Sequence, residues 1–248
     1  MPVRPAPKPR RQGSLFSRGE GQLTIGVTQP VGACPVCGLA LSWPGAGGVC
    51  PNRWCWRSDR AFSVVYSIGV HQGALRRALL RYKYHGEWWW SSEFARLIAA
   101  YLDANASWFE DFDVLAAVPT YSGPGARRKW DPVRRILEEL TALVGGAWEI
   151  DPDLVVKVAE TPPMQGLDWA SRQTLAAGEL RDALVVPRRD AVVGATVLVL
   201  DDVMTEGSTL REVARALRSA GAAEVAGLVV ARPPWSEPGE TSGRGAPS

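Results

Sequence analysis

The sequence predicts an α/β fold in which a doubly wound, mostly parallel sheet follows a small cysteine-rich module. Apolar, strand-like segments alternate with helix-like segments from about residue 61 to residue 232. One of these strands runs into two carboxylates, a loop of small residues and a helix, which is the arrangement of a ligand-binding strand in an open α/β sheet. All four cysteines of the chain lie between Cys34 and Cys55.

The segment from Thr196 to Leu217 is the best-defined part of the pattern. An apolar run from Thr196 to Leu200 predicts a strand buried on both faces, and a loop over residues 205–209 follows it. Apolar residues then recur at helical spacing up to Gly221, which is placed as a C′ glycine, and Thr209 with Glu212 fits a capping box.

This loop and the carboxylates before it predict an anion site that also accepts hydroxyl groups. A helix N-terminus offers unpaired N–H groups to a phosphate, and Gly207 lets the backbone approach it closely. Asp201 and Asp202 would repel a bare phosphate, so they fit a ligand that carries hydroxyls or a divalent cation. Since side chains alternate along a strand, the two aspartates should point in different directions. The alternative is an ordinary strand–turn–helix with solvent-facing acids.

The four cysteines predict a structural zinc site. They occur as CPVCG and CPNRWC around a segment rich in Gly and Pro, which is too poor in apolar residues to form a core of its own. The expected ligands are Cys34, Cys37, Cys50 and Cys55. Two disulfides, a redox dithiol and unrelated buried cysteines remain alternatives, although the lack of an export signal argues against structural disulfides.

The remaining elements follow in chain order. Predicted strands cover residues 61–68, 113–119, 154–159, 183–186 and 224–231, and predicted helices cover residues 71–84, 92–102 and 132–144. Arg127, Arg128 and Lys129 follow the end of the second strand, where they would either hold a pyrophosphate or form a solvated basic loop. The tryptophans at positions 88–90 cannot all face one way on a helix, so at least one is expected to be exposed or to pack on another domain. Core packing is the simpler role for them, and base stacking is the alternative.

Bulk properties exclude little. The 248 residues have a hydrophobic content of 46% and a net charge of +2, which suits a globular protein with a proper core. No secretory segment and no long uncharged apolar run is found, so we expect a cytoplasmic protein without a membrane span. Residues 1–30 carry five basic residues and much Pro, Gly and Ser, which predicts a disordered basic tail. Residues 233–248 predict a second disordered tail.

The segment around the aspartates resembles the PRPP-binding motif of type I phosphoribosyltransferases, a hydrophobic strand and two acids followed by Thr-Thr-Gly-x-Thr. The resemblance implies that Asp201 and Asp202, the catalytic candidates, hold the ribose hydroxyls with Mg²⁺. It implies that the 5′-phosphate binds in the loop formed by Thr205, Glu206, Gly207, Ser208 and Thr209. Glu206 stands where that family has threonine.

The order of motifs along the chain resembles the ComF/GntX family, cytoplasmic phosphoribosyltransferase-like proteins of which some serve DNA uptake in competence. The features that match are the cysteine module, Lys83 with Gly86, Val118 with Pro119, Gln165 with Leu167, Arg172 and the PRPP motif. The resemblance implies a zinc ribbon over residues 31–58 and a phosphoribosyltransferase-like domain over residues 60–232. The family's Arg-Gly-Phe-Asn-Gln segment is replaced here by residues 127–131, RRKWD.

Three functions follow from these patterns. The first is an enzyme that displaces pyrophosphate from PRPP with an unknown acceptor, with Arg127 and Arg128 steadying the leaving group. The second is a PRPP- or nucleotide-binding accessory protein of DNA uptake that contacts single-stranded DNA through its zinc ribbon. The third is a degenerate relative that keeps only the fold. The oligomeric state stays open, and a homo-oligomer is compatible with all three.

Overall fold

The computed structural model describes residues 33–39, 50–163 and 166–234 of the chain. Its centre is a five-stranded sheet in which every neighbouring pair of strands is parallel. In spatial order the strands are β1 (Val65–Val70), β7 (Glu224–Arg232), β6 (Thr196–Val203), β2 (Val114–Ala117) and β3 (Ile150–Asp151). This arrangement confirms the α/β class and the mostly parallel sheet predicted from the sequence.

Helices cover both faces of the sheet. They are α1 (Gly73–Tyr84), α2 (Trp90–Ala104), α3 (Ala106–Phe109), α4 (Pro132–Val144), α5 (Trp169–Leu175), α6 (Arg181–Ala183) and α7 (Ser208–Ala220). A π-helical stretch, Ala176–Leu180, joins α5 to α6, and the 3₁₀ turns are Arg53–Trp56 and Arg189–Ala191. A small antiparallel pair, β4 (Val156–Lys157) and β5 (Leu184–Val185), lies apart from the main sheet.

The sheet separates two hydrophobic cores. The first joins apolar side chains of α1, α2 and α4 to one face of the strands, with Tyr82 and Leu115 among its buried members. The second joins α7 to the other face and also contains Cys34, Cys37 and Trp54 of the cysteine module. The cysteine module therefore packs on the same side of the sheet as the helix that follows the predicted phosphate loop.

Strand β6 is central because its sequence supports burial on both faces. Residues 197–200, Val-Leu-Val-Leu, are fully buried, and they pair with β2 on one side and β7 on the other. Since parallel strands end at the same edge of a sheet, the residues after Leu200 lie at the edge where ligands bind in open α/β sheets.

Helix α4 covers the range predicted for it, and its ends show why. The Asp131 side chain accepts hydrogen bonds from the backbone N–H groups of Val133 and Arg134, and Pro132 occupies the first helical position. Gly145, with φ 55°, ends the helix in the left-handed conformation. The Asp131 carboxylate also accepts the Thr120 N–H at 2.6 Å, so the cap is joined to the loop after β2.

The capping box predicted for α7 is wrong. The helix begins at Ser208 with Gly207 as its N-cap, and no side chain caps it. Thr209 therefore lies inside the first turn, where its hydroxyl cannot act as an N-cap. Glu212 is only 1% exposed, and its carboxylate accepts a hydrogen bond from Arg181 at 2.8 Å.

Other differences are in element ends. The first strand begins at Val65, because residues 61–64 connect it to the cysteine module, and the strand predicted over residues 154–159 shrinks to Val156–Lys157. Gln165, residues 1–30 and residues 235–248 lie outside the described residues. Within the described residues, no helix combines the length and the hydropathy that crossing a membrane requires.

Candidate functional site

A cavity of about 220 Å³ lies at the carboxyl end of β6. It is bounded by the last residues of that strand, the loop after it and the first turn of α7, together with one residue of α5. The lining residues are Arg172, Asp201, Val203, Met204, Thr205, Gly207, Ser208, Thr209 and Leu210. Five of the residues predicted from the motif, namely Asp201, Thr205, Gly207, Ser208 and Thr209, therefore meet around one cavity.

The loop conformation depends on Gly207. Its φ of 97° is in the left-handed region that favours glycine, and an added Cβ would lie 2.5 Å from the Cε atom of Met204. The Gly207 carbonyl accepts the first hydrogen bond of α7, from the Arg211 N–H at 2.9 Å. Because the first N–H groups of a helix have no acceptor within the helix, the N-terminus of α7 is of the kind that suits an anion.

The two aspartates diverge, as strand alternation requires. Asp201 lines the cavity, whereas Asp202 is 5% exposed and lies 2.7 Å from the Lys83 ammonium. The Asp202 N–H donates to the Asp201 carboxylate at 2.8 Å, and the Val203 N–H donates to the Asp202 carboxylate at 2.6 Å. Both carboxylates are thus held by backbone donors, but of the pair the structure brings only Asp201 to the cavity.

The titration of these groups reflects their burial. Withdrawal of the Asp201 carboxyl from bulk water, followed by repulsion from Asp202, raises the pKa of Asp201 to about 8. Burial lowers the pKa of Lys83, but attraction to the Asp202 carboxylate outweighs burial and leaves that pKa above its ordinary value. At neutral pH Asp201 is therefore largely protonated in the free protein, beside the ion pair between Lys83 and Asp202.

Glu206, the residue that departs from the PRPP motif, is turned toward Arg172. One of its carboxylate oxygens lies 3.2 Å from the Arg172 guanidinium, and its side chain does not contribute to the lining of the cavity. Arg172 itself lines the cavity. The negative charge of Glu206 is therefore offset by the positive charge of Arg172. In the sequence analysis Arg172 appears only as one of the features that match a known family.

Two further side chains hold the loop, and sequence reasoning missed both. The Gln173 side chain donates to the Ser208 hydroxyl at 2.7 Å, and the Asn52 side chain donates to the Glu206 carbonyl at 3.2 Å. Gln173 adjoins Arg172 in sequence, which is the only signal that could have pointed to it. Asn52 is 154 residues away from Glu206 along the chain, and no local pattern connects the two.

The pyrophosphate candidates lie outside the cavity lining. Arg127 forms an ion pair with Glu160 at 2.8 Å and donates to the Thr161 carbonyl at 2.5 Å. The Arg128 guanidinium lies 5.4 Å from the centre of the Tyr84 ring. The structure therefore does not bring these two arginines to the cavity, and among the residues it describes Arg172 is the arginine in the lining.

The four cysteines form one cluster. The Sγ atoms of Cys34 and Cys55 are 3.7 Å apart, those of Cys37 and Cys50 are 3.6 Å apart, and all four lie within 4.8 Å of one another. Zinc bound to four sulfurs at about 2.3 Å in a tetrahedron places the sulfurs about 3.8 Å apart, so the cluster fits that metal. None of the four cysteines is in a disulfide, and three of them are buried.

The parallel sheet and the cavity at its carboxyl edge are consistent with a type I phosphoribosyltransferase fold, and comparison with known proteins agrees. Residues 158–239 match the phosphoribosyl transferase domain family. The DNA utilization protein YhgH of Salmonella typhimurium strain LT2 is 26% identical over 201 residues, which cover 80% of this chain and 83% of the relative. The protein of the same name from Salmonella typhi is 25% identical over 201 residues, with the same shares of each chain. The resemblance found in the sequence is thereby confirmed: the chain contains a phosphoribosyl transferase domain, is similar over 80% of its length to a DNA utilization protein, and has an N-terminal cysteine cluster compatible with a zinc ribbon.

Proposed function

We propose that the chain binds PRPP in the cavity at the end of β6 and transfers its phosphoribosyl group to an acceptor, releasing pyrophosphate. The observation that supports this most directly is the meeting of Asp201 with Gly207, Ser208 and Thr209 around one cavity. Recognition of a ribose 5-phosphate needs two groups. A carboxylate binds the ribose hydroxyls, and a helix N-terminus binds the phosphate.

Each lining group has a proposed part in binding. The loop N–H groups and the hydroxyls of Thr205, Ser208 and Thr209 hold the 5′-phosphate. Asp201, once ionised, accepts hydrogen bonds from the ribose hydroxyls. Asp202, held by Lys83, fixes the strand end on which Asp201 is placed. Mg²⁺ bound by the oxygens of PRPP would supply charge neutralisation at the leaving pyrophosphate, and an ionised Asp201 would help to retain it.

The pyrophosphate must be steadied by cations as it departs. Arg172 is the nearest candidate because it lines the cavity. Arg127 would have to exchange its Glu160 partner for the pyrophosphate, and Arg128 would have to leave the Tyr84 ring. We propose Arg172 for this role first, with Arg127 and Arg128 joining on closure of the loop over residues 120–131. A cytoplasmic location is part of the same proposal.

Calorimetry with PRPP and Mg²⁺ tests the site. We expect saturable binding to the natural chain and loss of at least tenfold in affinity in Asp201→Ala. Asp190→Ala is the matched control, because Asp190 is an exposed aspartate in the turn before β6. A chain that fails to bind PRPP, or an Asp201→Ala variant that binds as the natural chain does, would contradict the proposal. Release of pyrophosphate in the presence of a panel of nucleobases and amines then separates an enzyme from a PRPP-binding protein.

A second candidate function is contact with single-stranded DNA, and an aromatic surface beside the sheet edge favours it. Tyr84 is 59% exposed and Trp88 is 51% exposed. The Arg128 guanidinium lies 5.4 Å from the Tyr84 ring, and the Arg135 guanidinium lies 5.1 Å from the Trp88 ring. Exposed aromatic rings interleaved with arginines are suited to stacking bases and attracting phosphates. The similarity to relatives named as DNA utilization proteins also supports contact with DNA.

The zinc ribbon is a second candidate surface for DNA contact, and it is the surface that the sequence analysis names for this function. Trp56 is 64% exposed there, and Arg53 and Arg57 on either side are also exposed. Fluorescence anisotropy with a labelled oligothymidylate distinguishes the two surfaces. Loss of binding in Trp88→Ala assigns the aromatic surface beside the sheet edge, and loss in Trp56→Ala assigns the ribbon. Trp108→Ala is the control, because Trp108 is 43% exposed on α3. Equal binding by all three variants would contradict DNA contact at either surface.

A further inference from the structure

Asn52 connects the cysteine cluster to the phosphate loop. It lies between Cys50 and Cys55 and is 5% exposed. Its Oδ1 atom accepts the Trp54 N–H at 3.2 Å, and its Nδ2 group donates to the Glu206 carbonyl at 3.2 Å. Only this orientation of the amide satisfies both partners, because an N–H requires the oxygen and a carbonyl requires the nitrogen.

The hydrogen bond to Glu206 fixes the direction of a peptide group in the loop. A trans peptide is planar, so the Glu206 carbonyl and the Gly207 N–H point in opposite directions. With the carbonyl drawn toward Asn52, the N–H is directed away from the cysteine module. The N–H is the part of this peptide that suits an anion. Because Gly207 lines the cavity, this N–H is the part left for the ligand. A rotated peptide would present a carbonyl oxygen to the phosphate and repel it.

A second contact joins the cysteine module to the same region. Trp54 is 2% exposed, and the Arg211 guanidinium in the first turn of α7 lies 4.1 Å from the centre of its ring. Trp54 and three of the cysteines belong to the same hydrophobic core as α7. A change in the cysteine module is therefore transmitted to the loop through packed, buried groups rather than through solvent.

We propose that Asn52 is a positioning residue for the phosphate loop and that metal occupancy of the four cysteines sets the loop's affinity for the PRPP phosphate. Metal binding fixes Cys50 and Cys55, and the Cys55 N–H donates to the Asn52 carbonyl at 3.0 Å. The metal thereby holds the turn that carries Asn52. By linkage, phosphate binding and metal binding strengthen each other by the same factor. This inference rests on the proposed PRPP site, and it assigns the cysteine cluster a part in ligand binding as well as in folding.

Asn52→Asp tests the inference in the full chain. The aspartate keeps the oxygen that accepts from Trp54 but replaces the donor to Glu206 with an oxygen, which repels the carbonyl. Asn105→Asp is the matched control, because Asn105 is also buried and its Nδ2 group also donates to a backbone carbonyl, that of Tyr101 at 2.8 Å. We expect Asn52→Asp to retain bound zinc, measured by elemental mass spectrometry, and to bind PRPP with Mg²⁺ at least tenfold more weakly than the control does.

Hydrogen exchange of the ligand-free protein separates this inference from the proposed function. We expect faster exchange over residues 205–209 in Asn52→Asp, and in the natural chain after zinc is removed with a chelator. Unchanged exchange in a zinc-loaded Asn52→Asp variant would overturn the inference even if PRPP binds. If Asn52→Asp exchanges faster but the natural chain does not bind PRPP, the link between Asn52 and the loop is retained. The proposed ligand, and the proposed control of its affinity by metal, are then overturned. If Asn52→Asp does not fold, Asn52→Ser removes the same donor without adding a charge, and the same two measurements apply.

Discussion

The Lys83 ammonium lies 2.7 Å from the Asp202 carboxylate, and both side chains are largely withdrawn from solvent. Lys83 is near the end of α1, and Asp202 is near the end of β6. The ion pair therefore joins two distant parts of the chain next to the cavity. Because each charge would be costly to bury alone, the pair fixes the strand end at which Asp201 enters the cavity.

Replacing Lys83 should destabilise the protein strongly. Lys83→Met leaves Asp202 as an uncompensated buried charge, which we expect to lower the free energy of unfolding by about 3 kcal/mol. Lys129→Met is the control, because Lys129 is exposed, and its effect should stay within about 0.5 kcal/mol. The measurement is urea denaturation at pH 7. The double variant Lys83→Met with Asp202→Asn should recover part of the loss, and a double variant less stable than Lys83→Met would contradict the role of the pair.

Asp201 should make stability and PRPP binding depend on pH in opposite ways. Its pKa is raised from 3.8 to about 8 in the folded protein, so between these values the folded state holds a proton that the unfolded state has lost. The free energy of unfolding therefore falls as pH rises through this window. Asp201→Asn removes this dependence, so we expect its gain in melting temperature over the natural chain to be larger at pH 9 than at pH 5.

Affinity of the natural chain for PRPP with Mg²⁺ should rise through pH 8, because the ionised carboxylate is the form that accepts from ribose hydroxyls and attracts the cation. Thermal melts and calorimetry at three pH values measure both effects. Asp190→Asn serves as the exposed control. A melting-temperature difference between Asp201→Asn and the natural chain that is equal at pH 5 and pH 9 would show that Asp201 does not titrate in this window.

Much of the fold could be predicted because local patterns agree with the final packing. The boundaries of α4 follow from Asp131, Pro132 and Gly145, which act through neighbouring backbone groups. The buried run in β6 and the glycine after it were likewise readable from the sequence. Strand ends are not fixed by local patterns, since pairing with a neighbouring strand decides where a strand begins.

The support around the cavity could not be predicted, because it comes from residues distant in sequence. Lys83 reaches Asp202, Asn52 reaches Glu206 and Gln173 reaches Ser208 only after the chain has folded. The capping box failed for a related reason. Tertiary partners of Glu212, among them Arg181, withdraw its carboxylate from the helix end. The contact between Glu206, which stands where the PRPP motif has threonine, and Arg172 is likewise formed only in the folded chain.

Glu206→Thr should increase affinity for PRPP by releasing Arg172. In the structure the carboxylate holds the Arg172 guanidinium at 3.2 Å, so its removal leaves more of that charge for the ligand. A partly exposed pair of this kind is worth up to about 1 kcal/mol, which corresponds to an increase of up to about fivefold. Calorimetry with PRPP and Mg²⁺ measures the change.

The Arg172→Gln background decides between two explanations of that gain. If Glu206 acts by occupying Arg172, as its orientation indicates, Glu206→Thr should bring no gain once Arg172 is absent. If Glu206 instead repels the phosphate directly, the gain should be larger in the Arg172→Gln background, and the proposed role of the pair would be wrong.

Removal of metal should destabilise the whole described domain and not the cysteine module alone. Cys34, Cys37 and Cys50 are buried in the core that also contains Leu210 and Val213 of α7. Structural zinc contributes folding free energy directly, so we expect chelation to lower the melting temperature by roughly 10 °C or more. The natural chain purified under reducing conditions should contain one zinc per molecule, and adding zinc after removing the chelator should restore the melting temperature.

Cys37→Ser, which replaces a ligand that is 0% exposed, should reproduce the loss without a chelator. A metal-free protein with four titratable thiols and an unchanged melting temperature would contradict a zinc site and favour buried cysteines that bind no metal, whereas two disulfides found by mass spectrometry would favour the oxidised alternative.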